Sequence, residues 1–313
     1  MSPRLSVLDQ SPIGIGGTAA QALRASVALA EQADRLGYHR YWVAEHHGAA
    51  GFAGVAPEIL AARLLDATET LRIGTGGVLL PRYRPDKVAE VFQVLAALHP
   101  GRVDLGIGRA GGPAGDFPRA AAELLSRLAD PSFGAPPPPV WLLGSSTGSA
   151  RLSAVLRTSF CFAHFLNPAP AEAAYQAARD RDEDDNVDAD ARSGAEPSAQ
   201  YALAVRVVTS EDEERAESLR RAYLLWRSRR DLGLDEPFPD PEMARRHGWS
   251  PVEVQRAEIN DRALVTGTPE QVRQSLRDLA KQNDVDEIII NMLTHDPADR
   301  AAMLRLLAPA PTS

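Results

Sequence analysis

The segment Val103-Asp104-Leu105-Gly106-Ile107-Gly108-Arg109 is typical of a buried strand that ends in glycine and a charged side chain. A similar change to polar or flexible residues ends three other predicted strands, in Glu45-His46-His47, Thr75-Gly76-Gly77 and Gly144-Ser145-Ser146. Parallel β/α barrels carry their binding and catalytic side chains at the carboxyl ends of the strands. The sequence therefore predicts both a barrel and the rim where its active site lies.

Strand and helix patterns alternate along the chain on both sides of this segment. The helix patterns cover 19–36, follow Pro57 and Pro85, centre on 121–128, and begin a last time at Asp296-Pro297. The predicted strands are Leu5–Asp9, Tyr41–Glu45, Arg72–Leu79, Val103–Gly108, Val140–Leu143, Phe160–Phe165, Tyr201–Val208 and Asp286–Asn291. Eight strands alternating with helices predict one domain over 1–313, a closed (β/α)₈ TIM barrel, with an open doubly wound sheet as the alternative.

Composition narrows the class of protein. The 313 residues carry a net charge of −8 and no extended basic stretch, so we expect no nucleic-acid partner. The single cysteine, Cys161, cannot form an intrachain disulfide, which favours a cytoplasmic location. No run reaches the roughly 18 apolar residues of a membrane helix, so we expect no membrane association.

Two segments interrupt the alternation. Residues 180–198 are rich in Asp, Glu, Arg and Ala without periodicity, which predicts a flexible acidic loop. Residues 210–266 form a long excursion between the seventh and eighth strands. Insertions after barrel strands cover the active rim, so this excursion is a candidate lid.

The segment Gly106 to Gly111 matches the dinucleotide fingerprint G-x-G-x-x-G, but we reject a Rossmann site. That site needs a helix to open at once, so that its amino end meets the pyrophosphate. Here Gly112-Pro113-Ala114-Gly115 follows, which is a loop pattern, and the strand is the fourth in the chain.

Two neighbouring strand ends suggest phosphate binding. Arg109 stands among glycines, where a guanidinium can hold a phosphate with two hydrogen bonds; a surface ion pair is the alternative. The loop Gly144-Ser145-Ser146 precedes a helix, whose first amides and hydroxyls attract anions. An ordinary helix cap would use one of these serines, and remains the alternative.

The histidine pair lies at the end of the second strand. Neighbouring strand residues point to opposite faces, so His46 and His47 are poorly placed to share a metal, and we expect no metal site. One of them facing the rim can hydrogen-bond a ligand or accept a proton; a purely structural histidine is the alternative. Gly76-Gly77 permits close approach of a flat ligand, or forms a simple bulge. Cys161 is expected in the core and His164 is a possible rim residue.

Together these residues resemble the bacterial-luciferase-like flavin monooxygenases. The resemblance runs from Leu5 to about Phe165 and resumes at 201–209 and 267–291. It is carried by five motifs: Tyr41-Trp42-Val43-Ala44-Glu45-His46-His47, Ile73-Gly74-Thr75-Gly76-Gly77 through Leu80-Pro81, His99-Pro100-Gly101-Arg102 through Gly108-Arg109, Trp141-Leu142-Leu143-Gly144-Ser145-Ser146, and Gly267-Thr268-Pro269-Glu270. The loop Ala110–Gly115 is shorter than the family usually has, which leaves the shape of the substrate site open.

The resemblance implies site residues on a (β/α)₈ barrel that binds reduced FMN, or the deazaflavin F420 in one branch. Arg109 and the loop of Gly144, Ser145 and Ser146 would hold the FMN phosphate. Gly76-Gly77 would form a non-proline cis peptide under the flavin ring. His46 would be the active-site histidine, with His47 as a second catalytic candidate and Glu45 as a cofactor-binding candidate.

The activity implied is two-component monooxygenation. A separate NAD(P)H-dependent flavin reductase supplies FMNH₂, and O₂ adds to it as a C4a (hydro)peroxide that transfers one oxygen atom to an apolar small molecule. The resemblance also implies a homodimer, and the Ala- and Arg-rich composition is associated with oxidation of antibiotic and other secondary-metabolite intermediates. An F420-dependent oxidoreductase, a non-catalytic flavin-binding barrel and a metal-dependent hydrolase are the alternatives.

Overall fold

A computed structural model describes residues 3–109, 115–130, 133–179 and 199–309. The strands in these ranges are β1 (Arg4–Asp9), β2 (Arg40–Val43), β3 (Arg72–Thr75), β4 (Val78–Leu79), β5 (Val103–Gly108), β6 (Val140–Gly144), β7 (Ser159–Ala163), β8 (Tyr201–Thr209), β9 (Leu264–Gly267) and β10 (Glu287–Asn291). The helices are α1 (Ala19–Arg35), α2 (Pro57–Ala67), α3 (Pro85–Leu98), α4 (Phe117–Leu128), α5 (Thr147–Val155), α6 (Ala171–Arg179), α7 (Glu213–Asp231), α8 (Pro241–Arg246), α9 (Pro251–Asp261), α10 (Pro269–Asn283) and α11 (Pro297–Leu307).

The strands close into a parallel barrel. Neighbours follow the order β10-β1-β2-β3-β5-β6-β7-β8, and β10 pairs with β8 to complete the circle. At that closure Ile288 lies opposite Leu5 on one side and opposite Leu203 on the other. The predicted (β/α)₈ TIM barrel is confirmed and the open doubly wound sheet is excluded, because an open sheet has two unpaired edges.

The side chains of each strand alternate between the barrel interior and the helix layer. The middle of the interior is apolar and includes Leu8, Trp42, Trp141, Cys161 and Ile289. Trp42 and Trp141 meet edge to face, with ring centroids 5.1 Å apart. Burial raises the pKa of Cys161 well above its usual range, so this thiol is a core group, as expected.

The amino-terminal end of the barrel is closed by paired charges. Arg40, 1% exposed, donates to Glu287 at 2.6 Å and to Asp104 at 2.7 Å. Arg72 donates to the second oxygen of Asp104. Each of these buried charges therefore has a counter-charge, as burial requires.

Three predicted strands end earlier than the sequence indicates, and one of them, Phe160–Phe165, ends at Ala163. β2 stops at Val43, so Glu45 and His46 lie in the following loop. The predicted strand Arg72–Leu79 is wrong as one element: it divides into β3 and β4 around Gly76-Gly77, whose peptide bond is cis. At the break the Thr75 hydroxyl donates to the carbonyl oxygen of Gly106 at 2.9 Å and accepts from the Gly106 amide at 3.2 Å. These side-chain hydrogen bonds take the place of the backbone hydrogen bonds between the two strands.

The excursion 210–266 contains α7, α8 and α9 and ends within the short strand β9. The strand β9 is an element that the sequence does not predict. β9 pairs with the last residues of β8, outside the barrel circle. The amide of Phe238 donates to the carbonyl of Ile13, and the amide of Ile15 donates back to Phe238, both at 2.8 Å. The excursion thus lies on the carboxyl-terminal rim of the barrel.

Other expectations fall outside the described residues, namely the acidic segment 180–198 and most of the loop after Arg109. Within the described ranges, every helix is too short or too polar to cross a membrane.

Candidate active site

His46 is held at the rim by the loop that follows β2. The amide of Ala44 donates to the carbonyl of Asp9 at 3.0 Å, and the amide of His46 donates to that of Gly54 at 2.7 Å. The imidazole stacks on Phe52, with ring centroids 4.2 Å apart and 28° between the planes. The backbone and an aromatic ring together determine where this histidine points.

The neighbours of His46 also determine which nitrogen carries its proton. Nη2 of Arg206 lies 3.4 Å from Oε1 of Gln10, and Nε2 of Gln10 lies 3.1 Å from Nε2 of His46. Since arginine can only donate, the Gln10 oxygen faces Arg206 and its NH₂ group donates to His46. The imidazole proton is therefore on Nδ1, which is buried and has no partner among the described residues.

His46 is uncharged near neutral pH. Burial lowers the pKa of its imidazole to about 4, and the positive charges of Arg230 and Arg206 and the neighbouring His47 act in the same direction. A neutral imidazole with a free N–H can donate a hydrogen bond to a developing negative charge.

Glu45 and His47 form a separate cluster. The buried Glu45 carboxylate accepts from the Tyr83 hydroxyl at 2.7 Å and from the Leu79 amide at 2.8 Å, and it also pairs with Nε2 of His47. Neither side chain forms a hydrogen bond or ion pair with Gln10 or Arg206 in the described structure. The structure therefore does not bring His47 to the His46 cluster.

The two glycines of the cis peptide lie beside this loop, on the adjacent strand. Val43 pairs with Thr75, which puts Gly76 level with Ala44. A Cβ atom on Gly76 would lie 2.6 Å from Cδ1 of Leu8, and one on Gly77 would lie 2.6 Å from Cδ1 of Leu143. A side chain at either position would therefore need its neighbours to move, and Gly76 is half-buried while Gly77 is buried.

Arg109 and the loop Gly144–Ser146 follow adjacent strands, as the sequence predicts. Gly106 lies opposite Trp141 and Ile107 opposite Leu142, so Arg109 and Gly144 extend side by side. Arg109 is exposed. The structure thus places both predicted phosphate-binding elements at one part of the rim.

The start of α5 in this loop is capped by Ser146, whose hydroxyl accepts from the Ser149 amide at 3.3 Å. The next two amides, of Thr147 and Gly148, belong to the first helical turn and have no intrahelical acceptor. A Cβ atom on Gly148 would meet only the Ser146 hydroxyl, at 3.8 Å, so an anion has space to approach. The Ser146 hydroxyl can therefore cap the helix while the amides of Thr147 and Gly148 remain for an anion.

Arg206 on β8 is a site residue that the sequence analysis missed. Its guanidinium lies 4.8 Å from the ring centre of Phe165 and 5.1 Å from that of Tyr223. Its Nε and Nη1 atoms are buried without a hydrogen-bond partner among the described residues. Burial lowers the pKa of this guanidinium to about 10, so it still carries its charge at neutral pH. The sequence feature that could have revealed it is a single charged residue within the otherwise apolar run 202–208.

Other polar atoms on this part of the rim also lack partners. Asn291 pairs with Arg206 in the β8–β10 register; its Nδ2 donates to the carbonyl of Leu8, and its Oδ1 has no partner within the described ranges. The buried Nδ1 of His164, after β7, has none there either. Within the same ranges no group of three or more His, Cys, Asp or Glu side chains could hold a metal ion.

Aromatic residues of the excursion pack against Phe52, the ring on which His46 stacks. Phe52 contacts Trp226 at 5.6 Å and Phe238 at 5.9 Å between ring centroids, and Trp226 stacks on Phe238 at 4.0 Å. Arg230 lies 5.2 Å from the Phe52 ring and pairs with Asp235 at 3.0 Å. The excursion therefore reaches the aromatic ring that supports the histidine.

The model of the protein family described as luciferase-like monooxygenase matches this chain in two overlapping parts, residues 4–130 and 114–285. An Escherichia coli (strain K12) protein described as a luciferase-like monooxygenase is 35% identical over 91% of this chain and 90% of its own length. The N-acetyl-S-alkylcysteine monooxygenase of Bacillus subtilis is 32% identical over 98% of both chains. The crystal structure of apo-MsnO8 matches with a TM-score of 0.84 and 34% identity, covering 98% of this chain and 97% of that chain.

More distant structures share the fold. The oxygenating constituent of 3,6-diketocamphane monooxygenase from Pseudomonas putida, solved with FMN, matches with a TM-score of 0.70 at 15% identity over 98% of this chain and 97% of its own. An F420-dependent secondary alcohol dehydrogenase matches with a TM-score of 0.68 at 14% identity over 98% of both chains. This barrel therefore serves both flavin and deazaflavin proteins.

Proposed function

The chain belongs to the luciferase-like monooxygenase family and is a flavin-dependent monooxygenase, and on that basis we propose that it oxygenates a small organic molecule using O₂ and reduced FMN. A separate NAD(P)H-dependent flavin reductase would supply the FMNH₂. The observation that carries the proposal is that three features lie on one rim: the tightly packed glycine pair Gly76-Gly77, a helix start that can attract an anion, and a half-buried histidine whose pKa is lowered to about 4.

The residues present fit FMN. The phosphate would bind Arg109, Ser145, Ser146 and the first amides of α5, because a guanidinium and a helix amino end both attract phosphate. The flavin ring would lie against the backbone of Gly144 and of Gly76-Gly77, where side chains are excluded. Bound reduced FMN supplies the electrons that activate O₂.

His46 would act as a hydrogen-bond donor to the oxygen that reacts. Its Nδ1–H is the free donor of a ring whose Nε2 already accepts from Gln10. With a pKa of about 4 the ring stays neutral at pH 7, so it offers a proton in a hydrogen bond without bringing a positive charge.

Glu45 and His47 would support the site by position. The Glu45 carboxylate holds the amide of Leu79, two residues after Gly77, and pairs with His47. We propose that this pair keeps the glycine segment against the loop that carries His46.

The excursion 210–266 would exclude water from the reaction. Water at the flavin diverts oxygen activation into H₂O₂ release, so closure of the excursion's aromatic residues around Phe52 and His46 would favour transfer to the substrate. The backbone bonds between Phe238 and the Ile13–Ile15 loop would have to open for a substrate to enter.

The substrate to assay first is a thioether. One relative of full matching length is named for the oxygenation of N-acetyl-S-alkylcysteine. We propose N-acetyl-S-methylcysteine as the starting compound for this chain.

The decisive experiment is an anaerobic titration of the protein with FMNH₂, followed by addition of O₂ with and without that thioether. We expect saturable FMNH₂ binding and substrate-dependent oxygen incorporation, traced with ¹⁸O₂. Parallel titration with reduced F420 tests the alternative, because that reaction transfers hydride and consumes no O₂. Failure to bind FMNH₂ would contradict the proposal, and binding without any oxidation across thioether, ketone and aldehyde substrates would favour a non-catalytic flavin barrel.

The homodimer stays a prediction. Light scattering on a size-exclusion column tests it directly, with the monomer mass of 33.7 kDa as reference.

A further inference from the structure

We propose that Arg206 binds a carboxylate, or a similarly shaped anionic group, of the substrate, and so makes the enzyme selective for small organic acids. The inference rests on the proposed function in one respect: it assumes that the oxygenated substrate binds over the rim that holds His46. It also revises the expectation of a wholly apolar substrate.

The first argument is the missing counter-charge. Arg206 is 4% exposed and forms no ion pair with any carboxylate of the described residues. Arg40, in the same barrel and 1% exposed, has two carboxylates within 2.7 Å. A buried guanidinium without a counter-ion is costly, and such costs are retained where a ligand offsets them.

The second argument is that the nearby acids are engaged elsewhere. Asp9, at the end of β1, accepts from the Tyr41 hydroxyl at 2.8 Å and from the Ser11 amide at 2.9 Å. Glu45 is engaged by Tyr83, Leu79 and His47. In the described structure these carboxylates are bonded to other partners and form no ion pair with Arg206, so the charge remains for a ligand.

The third argument is the position of Arg206 relative to the proposed flavin site. The strands β3 to β6 carry Gly76-Gly77 and the proposed phosphate-binding elements, whereas β8 closes the circle with β10 and β1 on the other side. Gln10 links Arg206 to His46 through one amide group. A substrate whose anionic end meets Arg206 would therefore have its other end near His46 and the flavin.

The rings around the guanidinium define the shape of this end of the site. Phe165 and Tyr223 contact it, and Tyr223 belongs to α7 of the excursion. Because both free nitrogens are buried in the described structure, an anion would reach them when Tyr223 and the excursion move outward. Binding of the anion would therefore be coupled to outward movement of Tyr223 and the excursion.

Matched ligands and matched variants test the inference without turnover. Octanoate and octanamide have the same chain and differ in charge; their affinities are measured by calorimetry on wild type, Arg206→Met and Arg206→Lys, with oxidised FMN present. We expect wild type to prefer octanoate and Arg206→Met to bind it about tenfold to a hundredfold more weakly, with Arg206→Lys between them. Equal binding of the two ligands by wild type, or unchanged octanoate binding by Arg206→Met, would overturn the inference.

Thermal unfolding of the ligand-free protein gives a second readout. Removing an unmatched buried charge should raise the Tm of Arg206→Met, whereas a structural role predicts a lower Tm. Arg221→Met is the control, because Arg221 also covers a ring, Trp249 at 5.3 Å, and donates to the Ala244 carbonyl. Its Tm should fall and its octanoate binding should not change. A fall in the Tm of Arg206→Met counts against the inference, and these binding results stand even if no oxygenation is found.

Discussion

Nε2 of His46 lies 3.1 Å from the side-chain nitrogen of Gln10, which assigns the imidazole proton to Nδ1. Replacing this donor by an acceptor should reverse the assignment. In Gln10→Glu the carboxylate would accept from Nε2–H and place a negative charge beside the ring, so the pKa of His46 should rise above its present value of about 4. Histidine ¹H–¹³C NMR titration measures this directly. Gln10→Met is the control, and an unchanged His46 pKa in Gln10→Glu would show that the two side chains do not interact in solution.

The low pKa of His46 predicts a pH-dependent part of the folding stability. A histidine with a pKa of 6.5 when unfolded and about 4 when folded binds its proton more readily in the unfolded chain. Its contribution is complete above pH 6.5 and is lost as the pH falls towards 4, by at most about 3 kcal/mol. Urea unfolding between pH 7 and pH 4 should therefore be less pH-dependent in His46→Gln than in wild type. Parallel pH curves for the two proteins would contradict the depressed pKa.

The two histidines should differ in their effect on catalysis. His46→Ala should bind FMNH₂ with little change but form about 10²-fold less oxygenated product, with H₂O₂ released in its place. His47→Ala should lower the yield of oxygenated product less than His46→Ala does. In the described structure His47 contacts Glu45, and it would act only through the position of the Leu79 segment. Product and peroxide yields per FMNH₂ consumed distinguish the two effects. Undiminished coupled turnover in His46→Ala would refute its role.

The two glycines of the cis peptide should tolerate alanine unequally. A Cβ atom on Gly77 would lie 2.7 Å from the backbone oxygen of Gly106, which belongs to β5 and cannot move alone. On Gly76 the first contact is the end of the Leu8 side chain, at 2.6 Å, which can shift. We expect Gly77→Ala to lose about 1–3 kcal/mol of stability and Gly76→Ala less, as measured by urea unfolding. The reverse order would contradict this geometry.

The sequence predicts the barrel because its strands are apolar on both faces and alternate regularly with helices. It also places His46, Gly76-Gly77, Arg109 and Ser146 at one rim, because the ends of parallel strands share an edge. Gln10 and Arg206 were missed for a physical reason. Their importance depends on contacts across the barrel between residues on strands that are far apart in the chain. The spacing of residues within one strand carries no information about such contacts.

The same limit applies to the excursion 210–266. The sequence predicts it as a candidate lid, but its contact with the rim depends on single aromatic residues, Trp226 and Phe238, that meet Phe52 from distant parts of the chain. The break in the predicted strand 72–79 depends on one hydroxyl, that of Thr75, which bonds the backbone of β5. None of these three side chains is distinguished by its neighbours in sequence.

The phosphate assignment makes a prediction that separates an anion site from a helix cap. If Arg109 and the start of α5 hold the FMN phosphate, Arg109→Met should weaken FMN binding and leave riboflavin binding unchanged, because riboflavin has no phosphate. Ser146→Ala should weaken FMN binding as well and should also destabilise the protein by about 1 kcal/mol through loss of the α5 cap. Fluorescence titrations with both flavins, anaerobic and reduced, give the four affinities, and urea unfolding gives the stabilities. If both variants lose FMN and riboflavin affinity equally, the rim holds the flavin by its ring alone and the phosphate lies elsewhere; if neither loses any, Ser146 is only a cap and Arg109 is not a ligand.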